Sequence, residues 1–96
     1  MGRAIGEQII SFGEIPQPHE VITIVYSSIR VESRLLYKEL VPIDPIREAI
    51  IRLQQEAERQ EADGVKNISI QMVVVHTETG EEVVDYYASG TLFRFQ

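Results

Sequence analysis

The chain has 96 residues, 44% of them hydrophobic, which is enough for one modest core and too few for two. Nine Lys and Arg residues against fifteen Asp and Glu residues give a formal net charge of −6, so nucleic acid and anionic membranes are not expected as partners. The chain has no cysteine, which excludes disulfides, thiolate metal sites and a cysteine nucleophile. The longest apolar run, Met72 to Val75, is far below the ~20 residues of a membrane-spanning helix. We therefore expect a single cytoplasmic domain over residues 1–96.

Residues 1–18 are predicted to form an N-terminal arm, and residues 19–96 the core of the domain. A short strand is predicted in the arm from Gln8 to Phe12. The prolines that follow have no backbone N–H and push their neighbours toward extended conformations. The segment from Gly13 to Pro18 is therefore expected to be an extended linker without strand pairing.

Glu20 to Glu32 is the first long strand that the sequence predicts. The segment is rich in β-branched residues and contains neither Gly nor Pro. Large apolar residues occupy both parities, for example Ile24 on one and Val25 on the other, so neither face is clearly meant for water. Residues 33–43 fit a helical turn or an irregular crossover.

The stretch from Asp44 to Asp63 is the one long helical pattern in the sequence. Asp44 is a good N-cap, and Pro45 suits the first helical position, where its missing N–H costs nothing. Gly64 stands where helices commonly exit through a left-handed residue, so a helix of about 19 residues, roughly 29 Å long, is expected. The apolar residues recur at steps of three and four and form one stripe, made of Ile46, Ala49, Ile50, Leu53 and Ala57.

Two further strands are predicted after the helix, and they are expected to form a β-hairpin. The first runs from Val65 to His76 and the second from Glu82 to Phe95. Gly80 lies in the turn between them and is expected to supply a positive φ. Gly90 predicts either a bulge or a close approach of another backbone.

The predicted fold is a β-α-β-β subunit of the α+β class. Placing the third main strand between the other two gives a three- to four-stranded antiparallel sheet in the order 1-3-2, with one long helix packed on one face. A helix about 10 Å wide cannot cover a sheet of about 15–20 Å, and the other face has no helix. Since large apolar residues lie on both faces, we predict a homo-oligomer whose subunits cover one another.

Two groups of residues are expected at the interface between subunits. Ile51 lies off the buried stripe of the helix and is the helix residue best placed for such a contact. The aromatic residues of the last strand are expected to line a subunit interface or a ligand site, the interface being favoured. They are Tyr86, Tyr87, Phe93 and Phe95.

At the helix and the hairpin the sequence resembles the YbjQ-like proteins, a family of uncharacterised small proteins sometimes labelled as heavy-metal-binding. The pattern Leu53-x3-Ala57-x4-Ala62-Asp63-Gly64-Val65 is similar to the end of that family's helix. Ala88-Ser89-Gly90-Thr91 is similar to its Ser-Gly-Thr-Ala stretch, and Ile9-Ile10-Ser11 to its opening strand. The resemblance covers residues 8–95 and implies a dodecin-like subunit assembled into a ring, typically a pentamer. It implies no reaction.

His76, Glu78 and Glu82 are the candidate metal ligands, because imidazole and carboxylate groups suit divalent ions such as Zn, Ni or Mn. Together with Glu81 they surround the hairpin turn. A structural site needs four ligands in fixed geometry, and one His among acids is more often a solvated turn. A ring would bring several copies of His76 to one axis, so a metal-binding oligomer is the alternative function.

No sequence feature predicts an enzyme. Ser27 and Ser28 lack the GxSxG-type elbow of a serine nucleophile. The acids of the helix are spread around its outer face, and His19 in the linker is expected at the surface. The leading prediction is therefore a non-enzymatic protein that assembles with itself, and an active site shared between subunits is the third possibility. The ligand or partner stays open.

Overall fold

The computed structural model describes residues 8–33 and 44–96. Within them, the chain forms strands β1 (Ile9–Ile10), β2 (His19–Glu32), β3 (Gly64–His76) and β4 (Glu82–Phe95) and helix α1 (Pro45–Arg59). The three long strands and the start of the helix are confirmed almost to the residue, whereas β1 is shorter than expected. Apart from Ser33, the crossover predicted for residues 33–43 lies outside the described residues.

The strands form one four-stranded sheet in the order β1-β3-β4-β2. β4 lies between β2 and β3 and is antiparallel to both, so the predicted order of the three main strands and the α+β class are confirmed. β1 differs from the antiparallel sheet that the sequence predicts. It pairs with β3 in parallel, with Ile9 opposite Gly64 and Ile10 opposite Val65. The sheet is therefore mixed.

Backbone hydrogen bonds to β3 continue beyond β1 through Ser11 to Gly13, so the first residue of the linker is bonded to β3, unlike the expected unpaired segment. Ser11 donates its N–H to the carbonyl of Val65 at 2.9 Å and accepts from Ile68 at 3.2 Å. The carbonyl of Gly13 accepts from Asn67 at 3.1 Å. These bonds straddle a bulge in β3 between Lys66 and Ser69, where Asn67 has a φ of 52°. The bulge turns backbone groups of β3 toward the arm, whose own backbone groups form hydrogen bonds with them.

Helix α1 begins as the sequence predicts and ends earlier. The Asp44 carboxylate accepts from the N–H groups of Ile46 and Arg47 at 3.0 and 3.3 Å, which caps the first turn. At the other end, the N–H of Ala62 bonds the carbonyl of Ala57 at 2.8 Å around a left-handed residue, Glu61, whose φ is 56°. This is a Schellman termination in which glutamate replaces the usual glycine. The expected exit through Gly64 is therefore wrong.

Gly64 and Gly90 are required by close approach. A Cβ atom at Gly64 would lie 2.4 Å from the carbonyl oxygen of Ile9, so only glycine lets β1 pair at this position. A Cβ atom at Gly90 would lie 2.4 Å from the side-chain Cγ1 atom of Val65 and 3.5 Å from the carbonyl oxygen of Lys66, so the close approach comes from a side chain and not from the backbone that the sequence predicts. Gly80 has the positive φ expected of the hairpin turn, at 84°.

The core lies between α1 and one face of the sheet. Leu53 is 1% exposed and Ala49 and Ala57 are fully buried, so these members of the predicted stripe face the sheet, whereas Ile46 is 43% exposed. The hydroxyl of Ser27 donates to the carbonyl of Ala49 at 2.9 Å and ties α1 to β2. The sheet contributes Val25, Ile29, Val31, Val65, Ile68, Val84, Tyr86, Ala88 and Leu92 to the same cluster.

Candidate functional site

The face of the sheet opposite α1, here called the open face, is polar at its centre. The strand register places Tyr26 of β2 beside Ser89 of β4, and Ser89 beside Ser69 of β3. The next row along the strands consists of Ser28, Tyr87 and Gln71. Residues two apart along a strand share a face, so the two rows lie on the same face of the sheet. Hydroxyl and amide groups therefore lie beside two tyrosines at the centre of the open face.

These residues enclose a concave site, here called the tyrosine groove, with a volume of about 220 Å³. Tyr26 and Tyr87 form its walls and are 76% and 44% exposed. The rest of its lining consists of Ser27, Ser69, Gln71, Ala88 and Ser89. A second cavity, of about 420 Å³, shares Tyr26, Ser27 and Tyr87 and continues over the edge of β2 to Arg52. The two cavities form one continuous surface depression.

One wall of the groove is fixed by a charged network. The guanidinium of Arg30 donates to both carboxylate oxygens of Asp85 at 2.7 and 2.9 Å, and the hydroxyl of Tyr87 donates to the same carboxylate at 3.1 Å. Arg30, followed by Tyr87, lowers the pKa of Asp85 despite the burial that raises it. The hydrogen bond to Asp85, followed by the charge of Asp85 and by burial, raises the pKa of Tyr87, although the charge of Arg30 lowers it. Tyr87 is therefore held as a neutral donor in one orientation.

A second cluster lies where the arm crosses β3. The ammonium of Lys66, whose side chain is 9% exposed, lies 2.6 Å from Oε1 of Glu14 and 2.8 Å from Nε2 of His19. The hydrogen bond from Lys66, followed by that from the N–H of Ile15, lowers the pKa of Glu14 to about 2. The ring of His19 meets that of Phe93 edge to face at 5.4 Å. These contacts fasten the arm to the sheet.

His19 is not the surface residue that the sequence predicts, since its side chain is 12% exposed. Nδ1 of His19 lies 2.7 Å from the carbonyl oxygen of Gln17, which can only accept, so Nδ1 carries the proton. Nε2 then accepts from the ammonium of Lys66. In this arrangement His19 acts as a structural acceptor.

The predicted metal ligands are only partly brought together. Nε2 of His76 lies 3.5 Å from Oε2 of Glu82, and the His76 side chain is 68% exposed. Glu78 is exposed in the turn between them. Within residues 8–33 and 44–96, no group of three or more His, Asp or Glu residues is arranged to hold a metal ion. Metal binding by one subunit alone therefore gains no support, and binding at an oligomer axis stays a prediction.

The outer edge of β3 is open over the second half of the strand. β1 pairs only with Gly64 and Val65, and the part of the chain that the structure describes gives Ile70 to His76 no strand neighbour on that side. Met72 and Val74 lie on the α1 side and are 63% and 55% exposed, because α1 does not reach them. The edge is thus apolar and unprotected.

Sequence patterns identified part of these surfaces. Of the four aromatic residues expected at an interface, Tyr86 and Phe93 are buried within the chain itself, at 6% and 0% exposure, and belong to its own packing. Tyr26 was not among these four candidates, although its side chain is more exposed than any of theirs. Its parity relative to Val25 and Ile29 is the signal that places it on the open face. The arm cluster joins residues that are far apart in sequence, and no local pattern indicates it.

The chain shares its fold with a crystallised protein of unknown function from Pediococcus pentosaceus ATCC 25745 that is assigned to the DUF74 family. The two superpose with a TM-score of 0.78 over 93% of this chain and 98% of that one, at 18% sequence identity. No family model matches the sequence, and no curated protein is significantly similar to it. Among the described residues, no helix has the length and apolar character needed to cross a membrane.

Proposed function

We propose that this chain is a non-enzymatic, cytoplasmic protein of the YbjQ-like type whose working form is a closed homo-oligomeric ring. The observation that carries the proposal is the open edge of β3 from Ile70 to His76. Between Ser69 and Val75 this strand has no charged residue. The shared fold with a DUF74 family protein supports the subunit architecture, and the assembly is inferred from the surface of this chain.

An open strand edge attracts other strands because its N–H and C=O groups have no partners. Monomeric proteins protect such edges with lysine, proline, bulges or a covering element. Ile70 to His76 has none of these in the described chain, and apolar side chains are exposed on both sides of the sheet, with Val73 42% exposed on the open face beside the polar Gln71. A neighbouring copy would pair the backbone and bury these side chains together.

The direction of the strands allows copies to pair head to tail, in a contact that forms a ring when the rotation between copies closes. β2 and β3 are both antiparallel to β4 and are therefore parallel to each other. A rotation that carries one copy to the next can place β3 of the first beside β2 of the second with matching polarity, so that both edges of every subunit are used. The exposed apolar residues of β2, Val21 and Ile24, would be covered by the same contact. The resemblance to the YbjQ-like family suggests five subunits.

The experiment is native mass spectrometry with multi-angle light scattering at micromolar concentration. We expect a single closed species whose mass is a multiple of 10.9 kDa, and we expect Val74→Lys to shift it toward the monomer. Ile46→Lys is the matched control, because Ile46 is also an exposed apolar residue, at 43%, but lies on α1 and not on a strand. It should leave the mass unchanged.

Three results would contradict the ring. A wild-type monomer would mean that the open edge is tolerated in isolation. A dimer would mean that β3 pairs with β3 of a second copy. An oligomer that survives Val74→Lys but not Ile46→Lys would place the interface on α1.

Metal binding at an oligomer axis is the second candidate function, and the close approach of His76 and Glu82 favours it. A ring would supply the further ligands by repeating this pair around its axis. Calorimetric titration with Zn²⁺ and Ni²⁺ tests the idea. Saturable binding that is lost in His76→Ala supports it, and no binding, or equal binding by the variant, would end it.

A further inference from the structure

The two walls of the tyrosine groove are spaced for one flat ring. Tyr26 pairs with Ser89, whereas Tyr87 pairs with Ser28, so the two tyrosines are diagonal neighbours on adjacent strands. Diagonal neighbours on one face of a sheet lie about 7–8 Å apart. Stacked carbon atoms approach to about 3.5–4 Å, so two side chains that leave the sheet side by side at this spacing have room for one flat ring between them. In the described residues neither tyrosine ring stacks on another ring of the chain, and the two side chains are 76% and 44% exposed.

The floor of the groove has polar groups that the fold does not use. The side chains of Ser69, Gln71 and Ser89 make no hydrogen bond within residues 8–33 and 44–96. By contrast, the hydroxyl of Ser27 is bonded to the carbonyl of Ala49. Each serine can donate and accept, and the amide of Gln71 offers both functions in one plane. This combination matches the edge of a heteroaromatic ring, whose nitrogen, oxygen and amino groups also alternate between donor and acceptor.

The volume of the groove limits the ligand. An enclosed apolar cavity of about 150 Å³ holds benzene, and pockets for drug-sized molecules begin at about 300 Å³. At about 220 Å³ the groove fits a compound of one or two rings. The adjoining cavity adds room for a substituent, and the guanidinium of Arg52 lies in its wall. Arg52 is half exposed, 3.6 Å from Glu48 and bonded to the carbonyl of Ser28 at 3.3 Å, so it is positioned to meet an anionic group.

From this geometry we propose that the tyrosine groove binds a planar heteroaromatic compound of one or two rings. The compound stacks between Tyr26 and Tyr87 and hydrogen bonds to Ser69, Gln71 and Ser89, while an anionic substituent reaches Arg52. The network of Arg30 and Asp85 holds Tyr87 in place before the ligand arrives. Such preorganisation reduces the ordering that binding requires. The residues of the site all belong to one copy of the chain, and in the ring proposed above β3 of the neighbouring copy would lie along β2, beside the opening of the groove toward Arg52.

The test uses four planar probes: nicotinamide, adenosine, cytidine and adenosine monophosphate. Cyclohexanecarboxamide is the matched non-planar control for nicotinamide. Saturation-transfer NMR detects binding to the full-length protein, and calorimetry measures affinity. We expect at least one planar probe to bind saturably while cyclohexanecarboxamide does not, and we expect the monophosphate to bind more tightly than adenosine.

Variants locate the binding. Tyr26→Ala should weaken it about tenfold, the effect of losing one stacking partner, while Tyr26→Phe keeps the ring and most of the affinity. Arg52→Gln should weaken the monophosphate and leave adenosine unchanged. Phe12→Ala is the control, because Phe12 is also a well-exposed aromatic residue, at 63%, but lies on the arm.

The proposal is overturned if no planar probe binds saturably, or if Tyr26→Ala binds as the wild type does. Equal binding of the non-planar analogue would also overturn it, because stacking would then have no role. Native mass measured on the same samples separates this result from the assembly proposal. Loss of binding in Tyr26→Ala with an unchanged mass assigns the effect to the groove.

Discussion

The carboxylate of Asp85 is clamped by the guanidinium of Arg30 through two parallel hydrogen bonds, from Nε at 2.7 Å and from Nη2 at 2.9 Å. Asp85 is 5% exposed at the centre of β4, whereas the Arg30 side chain, on β2, is 58% exposed. The bond therefore joins a buried charge on the central strand to a cation on the edge strand. It also positions Tyr87, whose hydroxyl donates to the same carboxylate.

Replacing Arg30 by glutamine should remove a pH-dependent part of the stability. Arg30, ahead of Tyr87, lowers the pKa of Asp85 in the folded protein below its ordinary value. The ionised carboxylate then favours folding. This contribution is complete above the ordinary pKa of about 4 and is lost as the pH falls through the lower folded pKa. Urea unfolding should show a wild-type advantage over Arg30→Gln that is largest near neutral pH and shrinks below about pH 4.

Arg47→Gln is the control for this experiment. It removes the same charge from α1, where the described residues give the Arg47 guanidinium no carboxylate partner. Its effect on the free energy of unfolding should be small at every pH. An Arg30→Gln effect that does not change with pH would contradict the role of the Asp85 carboxylate.

Replacing Gly64 by alanine should release the arm from the sheet. The new Cβ atom would lie 2.4 Å from the carbonyl oxygen of Ile9, which is backbone and can move only if β1 shifts. Because β1 has two residues, the shift should break its pairing. Hydrogen exchange should then speed up at the N–H groups of Ile9 and Ser11. Gly13→Ala is the matched control, since nothing lies within 4 Å of its Cβ position, and exchange that stays slow in Gly64→Ala would refute the steric argument.

Replacing Leu53 by alanine should destabilise the fold by about 2–5 kcal/mol. Leu53 is 1% exposed, and it is the largest side chain that α1 buries against the sheet. The loss combines the transfer of its apolar atoms with the cavity left behind. Gln55→Ala on the exposed side of α1 should change the free energy of unfolding by less than about 0.5 kcal/mol. Chemical unfolding of both variants checks the prediction, and a mild Leu53→Ala would mean that α1 packs loosely.

His19 should occur as the Nδ1-protonated tautomer at neutral pH. Its Nδ1 faces the carbonyl of Gln17, and its Nε2 faces the ammonium of Lys66, which can only donate. Nitrogen-15 NMR of the imidazole distinguishes the tautomers directly. His76, whose side chain is 68% exposed, serves as the internal reference and should show a mixture. An Nε2-protonated His19 would mean that Lys66 does not donate to it.

The sequence was most informative where structure is decided locally. The cap of Asp44 and Pro45 sets the start of α1 because it acts on neighbouring amides, and the steps of three and four define the buried stripe that includes Leu53. The turn at Gly80 follows from its freedom to adopt a positive φ. The order of the three main strands also follows, since a hairpin and a helical crossover leave few arrangements. These features need no knowledge of distant contacts.

The tertiary structure decided everything that depends on the register between strands. It placed Arg30 beside Asp85, and Tyr26 diagonally across from Tyr87, because pairing at one residue fixes every other pair along two long strands. It also brought Lys66 to Glu14, which no periodicity indicates. It gave Gly64 its role, since the residue that needs the space is Ile9 on another strand. Composition and periodicity determine where each helix and strand begins and ends and which of its faces is apolar. The contacts between distant segments determine which side chains share a site.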